Sequence, residues 1–334
     1  MNKTMKRVSA ARGLQIAVCL GLAVALCCSA FVQTGRGATK IRVGKAIAAA
    51  FSFVPLDVGM QAGIFQKHGI EIEEYNFAGS AKLQQALAAG SIDMGLGSGP
   101  ELAFIAKGAP SQGVAAMANA PLLLVLTVDK NGPIHSAADL KGKTVAISTV
   151  GSLTEWLVHQ LSRQQGWGTD GIKTLPLGAD AALISALATH QVDGIVIDVA
   201  TSYRLEEEGR ARIAVRFGSL FPDFHIHVIY ASKAFIAQNP DAVRAFLAGW
   251  FETIAFMRQQ KARTVEISNR VMGVSPEIAG RVSDELMPMF NSNGRFNPKA
   301  LEILRQSYVD MGILSEKPDM STLVTEKFLP APSR

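Results

Sequence analysis

Cysteine is scarce in this sequence. Cys19, Cys27 and Cys28 are the full set among 334 residues, and all three precede residue 30. Beyond them the chain can build no disulfide, no thiol nucleophile and no cysteine-held metal site, so packing must hold it. Charged residues, at 18%, fall below the roughly one quarter usual for globular domains. Acid is absent from residues 1–38, which carry Lys3, Lys6, Arg7, Arg12 and Arg36. The formal charge of the chain is +5. Without those five bases the remainder is near neutral, which leaves no basic footprint for nucleic acid. Catalytic signatures are missing too. There is no GxSxG elbow, no GxGxxG fingerprint, no GxxxxGK phosphate loop and no HExxH pair. These absences agree with a binder rather than an enzyme.

The first 38 residues have the anatomy of an export signal. The basic stretch leads into an apolar run from Leu14 to Ala30, broken by Gln15. Small residues follow at Cys28-Ser29-Ala30 and again at Gly35-Arg36-Gly37-Ala38. This predicts a secretory signal over 1–38, cut between about 30 and 38, and a periplasmic mature protein. An uncleaved anchor competes, but the run is slightly shorter than the ~20 apolar residues of a span. A lipid on Cys27 or Cys28 also competes, disfavoured by the bulk of Leu26 and Cys27.

From Lys40 onward, strand and helix signals alternate. Strands are expected at 41–43, 70–73, 92–96, 144–147, 172–175, 194–197, 213–215 and 225–231. Helices are expected at 55–68, 80–89, from Pro100, at 152–165, 179–189, 199–208, 241–271, 276–286 and 298–311. This order implies an α/β fold whose mainly parallel sheets carry helices on their faces. Asn131-Gly132-Pro133 is a linker signal. Leu83 to Ala88 recurs as Leu183 to Ala188, and Ile92-Asp93 recurs as Val192-Asp193, 100 residues on without a gap. Two similar lobes explain that period better than a solenoid. The expected division is 39–127 for lobe 1, 128–224 for lobe 2, and 225–334 returning to lobe 1. Crossings near 122–129 and 224–231 would form the hinge.

In parallel α/β sheets, ligands bind beyond the carboxyl ends of the strands, where backbone N–H groups open the next helix. Five segments qualify: Phe51-Ser52-Phe53, Gly79-Ser80-Ala81, Gly97-Ser98-Gly99-Pro100, Thr149-Val150-Gly151-Ser152-Leu153-Thr154, and Asp198-Val199-Ala200. The echo makes Ser98 and Asp198 equivalent positions on opposite lobes. Ser80, Ser98, Ser152 and Asp198 also suit helix caps. Phe51 and Phe53, read as an extended segment, would share a face for stacking or for the core. His225 and His227 would likewise put both rings on one face. His225 is expected to line the hinge side of the cleft, because no further ligands for a metal are in view. Asp93 and Asp193 stand at the wrong strand end for a ligand and are expected to be structural. No cofactor is implied.

The residues carry a family resemblance. Asp57 to Glu73, with Gly63-Ile-Phe65 and Gly69-Ile-Glu-Ile72, resembles the opening of the nitrate/sulfonate/taurine group of ABC-transporter solute-binding proteins, which also covers thiamine pyrimidine precursors. Leu87 to Gly95, Ala138 to Ile147, Gln191 to Gly209 and Asn239 to Val243 match in order, so the resemblance spans roughly Lys40 to Pro330. It implies a two-lobed type II periplasmic-binding fold that closes like a Venus flytrap. It also implies a membrane permease and a cytoplasmic ATPase as partners, and a monomer. The five segments correspond to that family's binding loops. Anion-binding members often place a basic side chain in the cleft, and none of the five contains Arg or Lys. Asp198, if ionised, would repel an anion. An organic acid, a sulfonate or an aromatic or heteroaromatic solute is therefore favoured over nitrate. A pyrimidine- or menaquinone-precursor synthase on the same scaffold, and a binding protein serving a sensor, are the rival functions.

Overall fold

The computed structural model describes residues 38–331 except Ala78. The expected export signal and all three cysteines lie outside the described residues.

The first half runs β1 (Thr39–Lys45), α1 (Val54–Gln61), α2 (Ile64–Lys67), β2 (Ile70–Asn76), α3 (Ser80–Ala88), β3 (Met94–Ser98), α4 (Leu102–Ala106) and β4 (Ser111–Asn119). Next come β5 (Leu124–Asp129), β6 (Thr144–Ile147), α5 (Leu153–Gln164), β7 (Lys173–Pro176), α6 (Asp180–Ala188), β8 (Gly194–Asp198), α7 (Val199–Glu207), β9 (Ala211–Arg216) and α8 (Phe217–Leu220). The chain ends with β10 (His225–Ser232), α9 (Lys233–Gln238), α10 (Pro240–Gln259), α11 (Lys261–Met272), α12 (Pro276–Leu286) and α13 (Pro298–Asp310).

Two five-stranded sheets form two lobes, in the orders β2-β1-β3-β10-β4 and β7-β6-β8-β5-β9. In each, four strands run in one direction and one inserted strand runs antiparallel to both its neighbours: β10 between β3 and β4, and β5 between β8 and β9. The sheets are thus mixed. The stretches expected as crossings, 122–129 and 224–231, are mostly strands β5 and β10. The passages between sheets precede those strands, at 120–123 and 217–224, and the Ala120 N–H donates to the Phe224 carbonyl at 2.6 Å. Trp156 of α5 stacks on Phe224 and Phe221 beside this joint.

Several expected elements divide or move. The helix expected at 55–68 breaks at Gly63, whose φ of +70° suits glycine. The helix expected at 241–271 breaks at Gln260 into α10 and α11. Strand β4 carried no expectation, because the small residues of Ser-Gln-Gly-Val-Ala-Ala give little alternation to read. It is nevertheless buried almost throughout.

The 100-residue echo is structural. Helices α3 and α6 begin at 80 and 180, and strands β3 and β8 span 94–98 and 194–198. Asp93 Oδ2 accepts from the Arg42 N–H in the middle of β1, and Asp193 Oδ2 accepts from the Thr144 N–H at the start of β6. Each carboxylate pins two neighbouring strands, which is the structural role expected of it.

Candidate functional site

The carboxyl ends of β1, β2 and β3 present one set of turns, and those of β6, β7 and β8 the other. After β1, residues Phe51–Phe53 form a 3-10 turn rather than an extended segment. Pro55 at the start of α1 fixes this local geometry. Both rings are buried, Phe51 against Phe290 at 5.8 Å and Phe53 edge-on to His227 at 5.0 Å. They fill the core and offer a solute no stacking face. Ser52 is also fully buried, and its hydroxyl has no hydrogen-bond partner.

Gly79 takes φ +104°, and its N–H donates to the Ala46 carbonyl at 2.9 Å, which turns the chain from β2 into α3. Ser80 does not cap that helix. Its hydroxyl lies 3.5 Å from that of Ser98. Ala81 beside it is exposed. The Ser98 N–H and hydroxyl both donate to Glu101 Oε1, at 2.7 and 3.2 Å. Gln84 donates to the other oxygen at 2.8 Å. Burial raises the Glu101 pKa despite these bonds. Gly99 is buried under the His225 backbone, so close that a Cβ there would sit 1.9 Å from the His225 carbonyl oxygen. Pro100 stays half-buried.

His225 does not line the cleft. It is fully buried, with Asn297 N–H donating to Nε2 at 2.8 Å and Nδ1 2.9 Å from Asn119 Oδ1. Since Nε2 accepts, Nδ1 carries the proton and donates to Asn119. The ring therefore ties β4 and β10 to the start of α13, and burial lowers its pKa to about 4. A strand irregularity separates His225 from His227. Their rings meet different neighbours, Phe296 and Phe53, so they do not form the shared face expected of them. His227 is pushed down to about 3 by burial, and its Nδ1 has no partner.

On the other lobe, Gly151 (φ +72°) donates its N–H to Glu155 Oε2 at 2.6 Å. Ser152 caps α5 by accepting from the Glu155 N–H at 3.3 Å. Thr154 Oγ1 lies 2.8 Å from the Ser152 hydroxyl and 2.9 Å from that of Ser148. Asp198 caps α7 through the Ala200 N–H at 2.8 Å. Its pKa is pushed up to about 6, chiefly by burial and further by the charge of Asp180. Val199 is fully buried and packs inward.

Of the expected positions, Gly79, Ser80, Ala81, Ser98, Pro100, Gly151, Ser152, Thr154 and Asp198 retain accessible surface, and Phe51, Ser52, Phe53, Gly99, Val199 and His225 do not. Two residues at the same strand ends were missed: Ile47, an exposed aliphatic on the turn after β1, and Asp180, which opens α6; Val150, inside the expected segment after β6, is exposed. The signal for Asp180 was its position after β7, the one cleft turn that was passed over. The arrangement can hold a small molecule by hydroxyls, helix-start N–H groups and one carboxylate. No group of three or more metal-ligating side chains comes together among the described residues. A cavity of about 430 Å³ lined by Asp129, His190 and Asp193 sits at the opposite strand ends.

The sequence profile of the NMT1/THI5-like family matches residues 50–263. The chain belongs to this family. A Brucella abortus relative named as a binding protein, with no ligand specified, is 25% identical over 225 residues, covering 65% of this chain and 67% of its own. A Schizosaccharomyces pombe relative named 4-amino-5-hydroxymethyl-2-methylpyrimidine phosphate synthase is 26% identical over 207 residues, 58% of each chain. The periplasmic aliphatic sulphonate binding protein of Escherichia coli has the same fold. Its TM-score is 0.73 at 21% identity, covering 86% of this chain and 92% of that one. The two-lobed type II periplasmic-binding fold is therefore the fold of this NMT1/THI5-like chain.

Proposed function

We propose that this protein captures a small organic solute between its lobes outside the cytoplasm and passes it to an ABC permease driven by a cytoplasmic ATPase. The carrying observation is that Ser80, Ser98, Ser152, Thr154 and Asp198 all keep accessible surface at the carboxyl strand ends of two lobes. A solute touching both sets is held more tightly in the closed form, so binding drives closure. The family relation and the binding-protein relatives support this reading. The basic and apolar segment over 1–38 supports export. No helix among the described residues is long and apolar enough to cross a membrane.

Native mass spectrometry and thermal-shift screening of the purified protein should find one saturable site per chain. The melting temperature should rise with solute concentration. Ser152→Ala and Asp198→Ala should each weaken binding about tenfold while changing stability less. Unchanged affinity in both variants would move the site elsewhere. The synthase name of the fission-yeast relative favours a second reading, a pyrimidine-precursor synthase. Product formation by the purified chain would decide for it, and loss of solute uptake on gene deletion would decide for transport.

A further inference from the structure

Two helices of lobe 2 are gripped along their flanks by carboxylates of lobe 1. Helices α12 and α13 belong to lobe 1: α12 packs on the Phe51–Phe53 turn, and α13 donates its Tyr308 hydroxyl to the Gly99 carbonyl at 3.2 Å. Glu285 of α12 accepts from the Tyr203 hydroxyl of α7 and pairs with Arg216 at the end of β9. One turn earlier, Arg281 lies 3.7 Å from the centre of the Tyr203 ring and bonds Glu206 at 3.2 Å. Asp310 of α13 accepts through Oδ2 from three groups of α5: Trp156 Nε1 at 3.4 Å, Gln160 at 3.2 Å and Arg163 at 3.4 Å. Its other oxygen is held by Gln306 of its own helix at 2.9 Å. The two grips share one chemistry, an aromatic donor and an arginine of lobe 2 on a carboxylate of lobe 1.

Neither carboxylate serves its own helix. Glu285 stands in the last turn of α12 and Asp310 ends α13, and neither of those turns holds a base. A negative charge there opposes the helix macrodipole. Helices α5, α10 and α11 instead place Arg163, Arg258 and Arg270 in their last turns. A locally unfavourable residue calls for compensation elsewhere, and here the arginines of the other lobe supply it. Glu285 and Asp310 are 22% and 17% exposed, whereas Arg216 and Arg163 are 42% and 40% exposed. Ion pairs this wet are individually weak, which suits contacts that release and re-form rather than a permanent seal.

We propose, independently of what the cleft holds, that Glu285 and Asp310 are two reversible clasps that hold lobe 2 against the C-terminal helices of lobe 1 and set the angle between the lobes. Helices α5 and α7, which the clasps grip, start under the Ser152 and Asp198 caps at the carboxyl ends of the lobe 2 strands. Release of the clasps therefore moves those turns with their helices. A ligand that needs this spacing of the lobes meets it already populated, and cutting the clasps lowers its apparent affinity by the fraction of molecules that leave that state.

Small-angle X-ray scattering and amide hydrogen exchange on the purified protein, with no ligand added, test this. The double variant Glu285→Ala, Asp310→Ala should show a radius of gyration about 5% above that of the wild type, as expected when compact lobes part about a hinge. Exchange in the core strands β5 and β10 should stay as slow as in the wild type, because each lobe remains folded. Glu302→Ala is the control. It cuts pairs with Arg305 and Lys317 that do not cross to lobe 2, so its radius should match the wild type. An unchanged radius in the double variant overturns the proposal. So does an equal expansion in Glu302→Ala. Expansion accompanied by fast exchange in β5 and β10 would make the two carboxylates supports of the fold, which also overturns it. Failure to find any saturable solute would remove the solute-capture reading and leave the clasps standing.

Discussion

Strands β3 and β8 are the same strand built twice, at residues 94–98 and 194–198, and each leads into the same cleft. Lobe 1 ends its copy in Ser98-Gly99 and lobe 2 ends its copy in Asp198-Val199. Around Ser98, the lobe 1 polar groups are bonded to one another: Ser98 to Glu101, Glu101 to Gln84, Gln84 to Ser111. Around Asp198 the carboxylate is held by backbone N–H groups at the start of α7, and burial pushes its pKa up to about 6. One scaffold thus carries a side-chain polar network in one copy and a helix-capping carboxylate in the other. Ligand chemistry can change on one lobe without touching the element order that positions it.

The comparison breaks most visibly at Lys45. Val43 pairs with Met94 and Val145 pairs with Gly194, so Lys45 and Ile147, each two residues on, occupy corresponding places in β1 and β6. Lys45→Met should cost about 3–5 kcal/mol, because Asp57 and Glu74 are left without their counter-ion. Ile147→Val should cost about 1 kcal/mol. Urea unfolding measures both. A Lys45→Met variant within about 1 kcal/mol of wild type would end the claim that lobe 1 depends on its ion triad.

Gly99 and Val199 are next. A Cβ at 99 would collide with the His225 carbonyl, a backbone atom with little room to yield. Gly99→Ala should therefore lose about 3 kcal/mol, seen as a fall in Tm, although its counterpart in lobe 2 is already a valine. A normal Tm would show that the β3–β10 contact is looser than described.

The lobes should also differ in their response to acid. His227 titrates near 3 when folded against an ordinary 6.5. Between those values the unfolded chain binds the additional proton. The contribution to stability is full above pH 6.5 and declines as pH falls, by about 2 kcal/mol down to pH 4.5. Asp198 runs oppositely. Its folded value near 6 against 3.8 means the folded chain binds the proton first, so stability increases as pH falls through 6. Urea midpoints across pH should show a flatter profile for His227→Leu and a steeper acid loss for Asp198→Asn. Slopes identical to wild type would remove the assignment.

The smallest effect concerns the turns after α3 and α6. Gly90 has φ +69°, and its counterpart His190 holds φ +55°. His190→Gly should gain about 1 kcal/mol and Gly90→Ala should lose about as much, since nothing lies within 4 Å of a Cβ at 90. A loss in His190→Gly would mean that the imidazole makes a contact worth more than the backbone strain.

Much of this arrangement was legible beforehand, for physical reasons. Amphipathic helices closed by glycine, such as 80–88 before Gly90, and capped starts such as Ser152 declare themselves locally. So did the repeated Asp93 and Asp193. What depended on distant partners did not show. Phe51 and Phe53 are core because Phe290 and His227 come from the far end of the chain to meet them. His225 is a structural tie because Asn119 and Asn297 reach it from 106 and 72 residues away. The inserted strands β5 and β10 made the sheets mixed, a matter of chain routing that no local period encodes.

Helix α7 ties two distant parts of the molecule together. Its first turn is capped by Asp198 at the cleft. Five residues on, about 7.5 Å along the axis, Tyr203 donates to Glu285 of α12, which also pairs with Arg216. Arg281 of α12 lies over the Tyr203 ring at 3.7 Å and bonds Glu206 at 3.2 Å. A nine-residue rod therefore has its head at the carboxyl end of β8 and its flank bolted to α12. Any tilt of the head must load those bolts, so a change at the start of α7 and a shift of α12 become one mechanical event.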